Sequence, residues 1–259
     1  EELAAINVGN APQLSQVRTL GDAAVAVNGV AFNLDGKQLA VAGADGNVTV
    51  WSMVTGNVQW LLEGHRDGAT SVAFGAGGFQ LAAGTGAGFV WMWDTLTGEV
   101  SSGLQRHDGI AESVAFTKDF LIASGGEDGS VRVWDMLDYA ERTPLLEPND
   151  VPVLSVAFSA DGTLLAAASG NVIRVWDVEA ATVTAELESD VSAIDAISFS
   201  PNGTALVYGG ADTAAWVWDL AGDSHALLEG HDGQVNALAY SADGSLIASG
   251  DASAVRLWN

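Results

Sequence analysis

Along most of the chain, short runs alternate apolar residues with small or polar ones, and Gly, Asp or another polar residue breaks each run within a few positions. SVAF at 71–74, 113–116 and 155–158 and LIASG at 121–125 are examples. An alternation of period two puts successive side chains on opposite faces of an extended chain, so these runs predict strands. No segment of ten or more residues holds the 3.6-residue period of an amphipathic helix, which argues against a doubly wound α/β fold.

The runs recur with a fixed period. VTVW ends at Trp51, VWMWD contains Trp93, VRVWD Trp134, IRVWD Trp176, AWVWD Trp218, and VRLWN Trp258. Successive tryptophans lie 42, 41, 42, 42 and 40 residues apart. That spacing suits a blade of four antiparallel strands. Within each period an alternating strand is followed by a turn: NLDG at 33–36, GAGG at 75–78, TKDF at 117–120, SADG at 159–162, SPNG at 200–203 and SADG at 241–244. Asp-Gly and Asn-Gly supply the positive φ that tight hairpins require. A strand of small residues, a second turn and the tryptophan strand come next. A fourth strand reads NVQWLL, EVSSGL, TPLL, TVTAEL or HALL in the first five copies, and the sixth stops at Asn259. QLSQVRTL at 13–20 has no earlier blade of its own and is expected to complete the last one. The sequence therefore predicts an all-β, six-bladed propeller over residues 13–259, preceded by a tail at 1–12, with N- and C-terminal segments closing the ring and removing exposed sheet edges. A seventh blade missing from the chain is the competing expectation.

These residues resemble the WD-repeat family from about Gln13 to Asn259. GH at 64–65 and 230–231, SVAFSADG at 155–162 and LIASGGEDGSVRVWD at 121–135 carry the likeness most clearly. The N-terminal stretch, with AIN and NAPQLSQVRTLG, also looks like bacterial extracytoplasmic members. The resemblance implies a rigid platform for protein–protein contacts, working through its top rim or side faces. It also implies that blades are tied by a hydrogen-bonded set of His, Ser or Thr, Asp and Trp. One blade carries the full set, as His107, Ser124, Asp128 and Trp134. The last blade carries a partial one, His231, Ser249 and Trp258, with Asp251 displaced by a one-residue deletion. Asp45 and Asp212 survive without an upstream histidine, His65 survives without the turn aspartate, and Asp22 stands where the first blade's histidine would be.

The chain has 9 basic and 33 acidic residues, a formal charge of −24, 48% hydrophobic residues and no cysteine. Disulfides, thiolate zinc sites and cysteine nucleophiles are thereby excluded. The negative charge repels nucleic acid and anionic lipid, and no apolar run reaches membrane-spanning length. EELAAINVGN has neither a basic end nor an apolar stretch, so it does not read as a signal peptide, though it would fit what remains after one is removed. An extracellular or cell-surface location is favoured over a cytoplasmic one.

Candidate chemistry is sparse. His107, Ser124 and Asp128 are the residue types of a hydrolytic triad, but they coincide with the structural set, and no catalytic residues are expected. Neither a calcium loop, a phosphate loop nor histidines at metal-ligand spacing occur, so no metal or other cofactor is expected. The turns before each first strand contain Asp22, Asp67, Asp108, Asp150, Asp190 and Asp232, one per repeat. In a propeller these turns open on one face, giving a ring of carboxylates that Asp45, Glu127, Asp128 and Asp212 would strengthen. Each aspartate could equally accept hydrogen bonds from its own turn. Trp91 with Trp93 and Trp216 with Trp218 read as inter-blade packing, and Trp60 has the better claim to exposure. The function expected is a non-catalytic scaffold that binds basic or neutral protein partners through its acidic rim or outer blade edges. The alternatives are a structural subunit of a homo-oligomeric or surface assembly, with the tail as connector, and a ligand-binding or enzymatic propeller with a central-channel site.

Overall fold

The computed structural model describes residues 19–20, 25–63, 67–75, 77–104, 107–117, 119–142, 145 and 150–259. Their regular structure is entirely strand, and no helix among them is long and apolar enough to cross a membrane. The first blade consists of β1 (Val27–Phe32), β2 (Gln38–Gly43), β3 (Val48–Ser52) and β4 (Val58–Leu62). The second is β5 (Ala69–Phe74), β6 (Gln80–Thr85), β7 (Val90–Asp94) and β8 (Val100–Leu104). The third is β9 (Ala111–Phe116), β10 (Leu121–Gly126), β11 (Val131–Asp135) and β12 (Ala140–Glu141). The fourth is β13 (Val153–Phe158), β14 (Leu164–Ser169), β15 (Val172–Asp177) and β16 (Thr182–Glu188). The fifth is β17 (Ile194–Phe199), β18 (Ala205–Gly210), β19 (Ala214–Asp219) and β20 (Ser224–Glu229). The sixth is β21 (Ala237–Tyr240), β22 (Ile247–Gly250) and β23 (Val255–Trp258).

Every sheet is an antiparallel meander in chain order, and the first strands β1, β5, β9, β13, β17 and β21 touch in succession along the inside. The structure is thus a six-bladed propeller with four strands in each of five blades and three in the sixth. The strand expected at 13–20 to complete that sixth blade lies outside the described residues, apart from Thr19 and Leu20, which are not in a strand.

Packing between blades supplies the core. In the first blade Ala40, Ala42, Val48 and Val50 turn one face outward, and Val72, Leu81 and Trp93 of the second blade cover it. The second and third blades repeat this with Ala82, Val90 and Met92 against Val114, Ile122 and Trp134. The third and fourth use Ala123, Val131 and Val133 against Val156, Leu165 and Trp176. The fourth and fifth use Ala166, Ala168, Ile173 and Val175 against Ile197, Leu206 and Trp218. At the fifth boundary Val235 lies against Gly209, and its N–H donates to Gly210 O at 2.9 Å. Small residues on the second strand leave room for the Val, Leu and Trp of the next blade, so large faces small at the four boundaries between the first and fifth blades.

The third blade's outer strand, expected at TPLL, 143–146, begins earlier, as β12 at Ala140–Glu141. The edge pairing continues beyond it through the N–H of Arg142 to Val133 O at 2.8 Å and of Leu145, within TPLL, to Val131 O at 3.2 Å. Thr143, Pro144 and Leu146 lie outside the described residues. The hairpin turns do not all rely on glycine. Gly36, Gly78, Gly162, Gly203 and Gly244 have φ between 68° and 78°, but Phe120 takes the same place at φ 63°.

A bulky side chain in the left-handed region is strained by its own Cβ, and the Phe120 ring is largely exposed. Phe120→Gly is therefore expected to raise stability by about 1 kcal/mol, seen as a higher urea midpoint. A lower midpoint would mean that ring contacts outweigh the backbone strain.

Candidate functional site

Four antiparallel strands return the chain to the end where it began, so each loop leading into a first strand lies at the same end of the propeller as the turn between second and third strands. Hydrogen bonds join these two loop sets. The N–H of His107, in the loop before β9, donates to Gly88 O in the preceding blade's second turn at 2.8 Å. The N–H of Asp108 donates to Asp128 Oδ2 in its own blade's second turn at 3.0 Å. This shared end is the candidate site.

In the third blade, His107 Nε2 lies 2.6 Å from Ser124 Oγ. Its Nδ1 lies 2.9 Å from both Asp128 Oδ1 and Ser130 Oγ. A carboxylate only accepts, which puts the imidazole proton on Nδ1 and directs the Ser124 hydroxyl to Nε2. Gly126 makes the fit, since a Cβ there would overlap the His107 ring. Trp134 is buried in the adjoining cluster. Burial pushes the His107 pKa down, opposed by the hydrogen bond and charge of Asp128. Burial alone would raise the Asp128 carboxyl, but hydrogen bonds from Ser130, His107 and the Asp108 N–H outweigh it and hold the group at about 2.

The sixth blade contains the same relay in complete form. Trp258 Nε1–H donates to Ser249 Oγ at 2.7 Å, Ser249 Oγ lies 2.6 Å from His231 Nε2, and His231 Nδ1 lies 2.8 Å from Asp251 Oδ2. The one-residue deletion expected to displace Asp251 shortens the turn without taking the carboxylate out of reach. Ser253 hydroxyl and His231 hold the Asp251 carboxyl well below the usual range. In the third blade His107 and Ser124 are both 0% exposed, so the serine has no path to an outside substrate.

Of the six rim aspartates, Asp67, Asp108, Asp150, Asp190 and Asp232 are exposed, each in the loop before a first strand. Asp22 lies outside the described residues, as does His65. Among the described residues, the carboxylates that accept from their own turns are a different set, including Asp45, Asp161, Asp212, Asp243 and Asp251. Exposed Glu127 stands at the same end, and burial, with the Glu127 charge, pushes the Glu112 carboxyl of β9 up. Arg256 Nη2 approaches Asp232 at 3.9 Å. No three His, Asp or Glu among the described residues are grouped as metal ligands.

Aromatic residues reinforce blades more than they mark the site. Trp60, expected to be exposed, is half-buried against the second blade, and its Nε1–H donates to Thr95 O at 2.8 Å. In the fifth blade Trp216 stacks on Tyr208 and Trp218 on His225, while the indoles donate to Asp212 and Asp223. Sequence reasoning missed one surface. At the opposite end, Leu34, Val54, Phe79, Leu96, Phe120 and Leu137 of the first three blades are exposed. All six sit in turns, where strand periodicity carries no information, and only counting apolar residues turn by turn would have found them.

Ser124→Ala leaves the buried His107 Nε2 without a donor and should cost about 1–2 kcal/mol. His107 has a folded pKa below its unfolded value of 6.5, so its share of stability is complete above pH 6.5 and is lost as pH falls below it. Asp128 adds a second loss between pH 4 and about 2. Thermal melts of wild type and His107→Gln should therefore differ most above pH 7 and converge toward pH 5. A constant gap would place the effect in packing rather than proton linkage.

Comparison with known proteins agrees with this geometry. One stretch of the chain, 60 residues or 22% of it, is 47% identical to small ribosomal subunit protein RACK1y of Oryza sativa subsp. japonica. The match covers 18% of that protein, so this chain spans about a fifth of the relative's length. The family described as "WD domain, G-beta repeat" matches at 14–52, 56–94, 98–135, 142–177, 181–219 and 222–259. Six tryptophan-ended repeats, six sheets around one axis and two His–Ser–Asp relays accompany that match, and the chain belongs to the WD-repeat family.

Proposed function

We propose that this chain is a non-catalytic interaction module that holds basic or neutral protein surfaces at its acidic end. Propellers of this family generally mediate protein–protein interaction, and the partial relative is by name a component of a larger assembly. The observation that carries the reading is the placement of five exposed aspartates, one in each of the second to sixth blades, at one end of a chain with charge −24. Carboxylates fixed by a rigid scaffold add their potentials over one surface, which speeds encounter with a cation and sets its orientation. A catalytic role has less support, because the residues with triad chemistry are enclosed within blades and bonded to one another. The same charge suits an extracellular or cell-surface setting, and the likeness of the N-terminal stretch to bacterial extracytoplasmic members suits a bacterial secreted origin; both form part of the proposal.

The test must separate rim charge from net charge. One variant changes Asp67, Asp108, Asp150, Asp190 and Asp232 to Asn. A control makes Asp35→Asn, Asp119→Asn, Asp161→Asn, Glu179→Gln and Asp243→Asn at the other end, an equal loss of charge that keeps turn acceptors. Titrated with a lysine-rich peptide, the rim variant should bind roughly tenfold more weakly, about 1.4 kcal/mol, and the control less than twofold. Equal losses in both would reduce the rim to general acidity.

A further inference from the structure

The end of the propeller opposite the rim is built from the turns between first and second strands and between third and fourth strands, and these differ from blade to blade. In the first three blades they carry Leu34, Val54, Phe79, Leu96, Phe120 and Leu137, which are 53–86% exposed. At the positions of Leu34 and Val54 the fourth blade places Ala160 and Glu179, and the fifth Pro201 and Ala221. Among the described residues, exposed large apolar side chains in these turns are thus confined to the first three blades. Between the first and second blades the turns enclose a hollow of about 530 Å³, lined by Leu34 and Val54 from one blade and Phe79 and Leu96 from the other. Its amides bond in a row, Asn33 to Gln38 at 3.1 Å and Gln38 to Gln59 at 3.0 Å. Its two charged residues, Lys37 and Asp35, pair at 3.0 Å, so what the hollow offers a visitor is mainly apolar side chain. The third blade extends this surface at a cost. Phe120 has φ 63° where the first two blades have Gly36 and Gly78, and exposed Tyr139 has φ 58° where they have Gly56 and Gly98. Backbone outliers of this kind gather where a protein meets its ligands.

We infer that this half of the end is a docking site for a protein segment that presents apolar side chains flanked by lysine or arginine, an amphipathic basic helix being its simplest form. The apolar side chains fill the hollow, and the basic ones meet the carboxylates around it, Asp94, Glu99, Asp119 and Asp138 in the turns of the second and third blades. The basic side chains described beside them do not compete, because Lys37 is paired with Asp35 and Arg142 with Asp135; Lys118 lies outside the described residues. Charge selects this occupant over others. A second copy of the chain sets the same carboxylates against one another, and anionic lipid is repelled in the same way. The chain's own residues 1–12 carry Glu1 and Glu2 and no basic residue. The inference is independent of the rim reading, since it concerns the other end of the propeller and a partner held first by its apolar side chains.

A fluorescent synthetic peptide with Leu and Phe on one helical face and Lys on the other, titrated with the full chain at physiological salt and followed by anisotropy, tests it. A peptide of the same charge with serine in place of every Leu and Phe should bind about tenfold more weakly. Leu34→Ser combined with Leu96→Ser changes only exposed side chains, so the melting temperature should hold while affinity for the first peptide falls about tenfold. Asp94→Asn, Glu99→Gln, Asp119→Asn and Asp138→Asn together keep the apolar surface and the turn acceptors, and should weaken that peptide about fivefold, with a smaller effect in high salt. Should the first variant fail to fold, the second carries the test by itself. With the five rim aspartates changed to Asn, the gap between the two peptides should remain. Equal binding of the two peptides, or an affinity indifferent to both variants, would overturn the proposal. So would flotation with neutral phosphatidylcholine vesicles, or self-association in light scattering, that Leu34→Ser with Leu96→Ser abolishes, since the occupant would then be a membrane surface or a second copy.

Discussion

The structure depends on one contact made repeatedly: a face of Ala, Val and Gly on one blade receiving Val, Leu and Trp from the next. A single four-stranded sheet of this size has no interior, and both of its faces are apolar near the middle. Stacking sheets around an axis buries each face against a neighbour, so the burial of Val48, Val90, Val131 and Ile173 belongs to the boundary and not to any blade alone. Stability is then nearly a sum of nearest-neighbour terms. A defect at one boundary is felt there first.

Against this apolar background, the His–Ser–Asp relays do a narrower job. They occur in the third and sixth blades, where a histidine from the loop before the first strand enters between second strand and second turn. A loop that would otherwise be tied by backbone contacts gains a buried polar anchor there. Once buried, the anchor must be complete, because one lost partner strands the rest. Blades without the histidine fasten the same loops through backbone bonds, such as Ala44 N–H to Ala26 O in the first blade and Ala211 N–H to Ala193 O in the fifth. The fold tolerates degenerate repeats because the apolar boundary is retained where the relay is not.

The tryptophan period and the turns made the blade count and strand order legible, since both are short-range patterns written once per repeat. The relay of the third blade was legible residue by residue through family likeness. Asp251 was misjudged because spacing along the chain was taken for distance in space, and a turn with one residue fewer still delivers its carboxylate to His231. TPLL located part of the third blade's outer edge, where Leu145 pairs with Val131, but its composition gave no sign that regular pairing starts earlier, at Ala140. Trp60 looked exposed because an outer strand of one blade was considered without the loop of the next, whose Thr95 carbonyl receives it. Its error and that of Asp251 are long-range facts that no local pattern carries.

The two kinds of surface follow from the same architecture. Residues in loops owe nothing to the boundary packing, so exposed carboxylates occupy the turns at both ends, and exposed Leu, Val and Phe join them at the end opposite the rim, without disturbing the core. Residues on blade faces have no such freedom, because each is committed to a neighbour. Rim carboxylates are already solvated and are content in water, whereas exposed Leu, Val and Phe side chains are not.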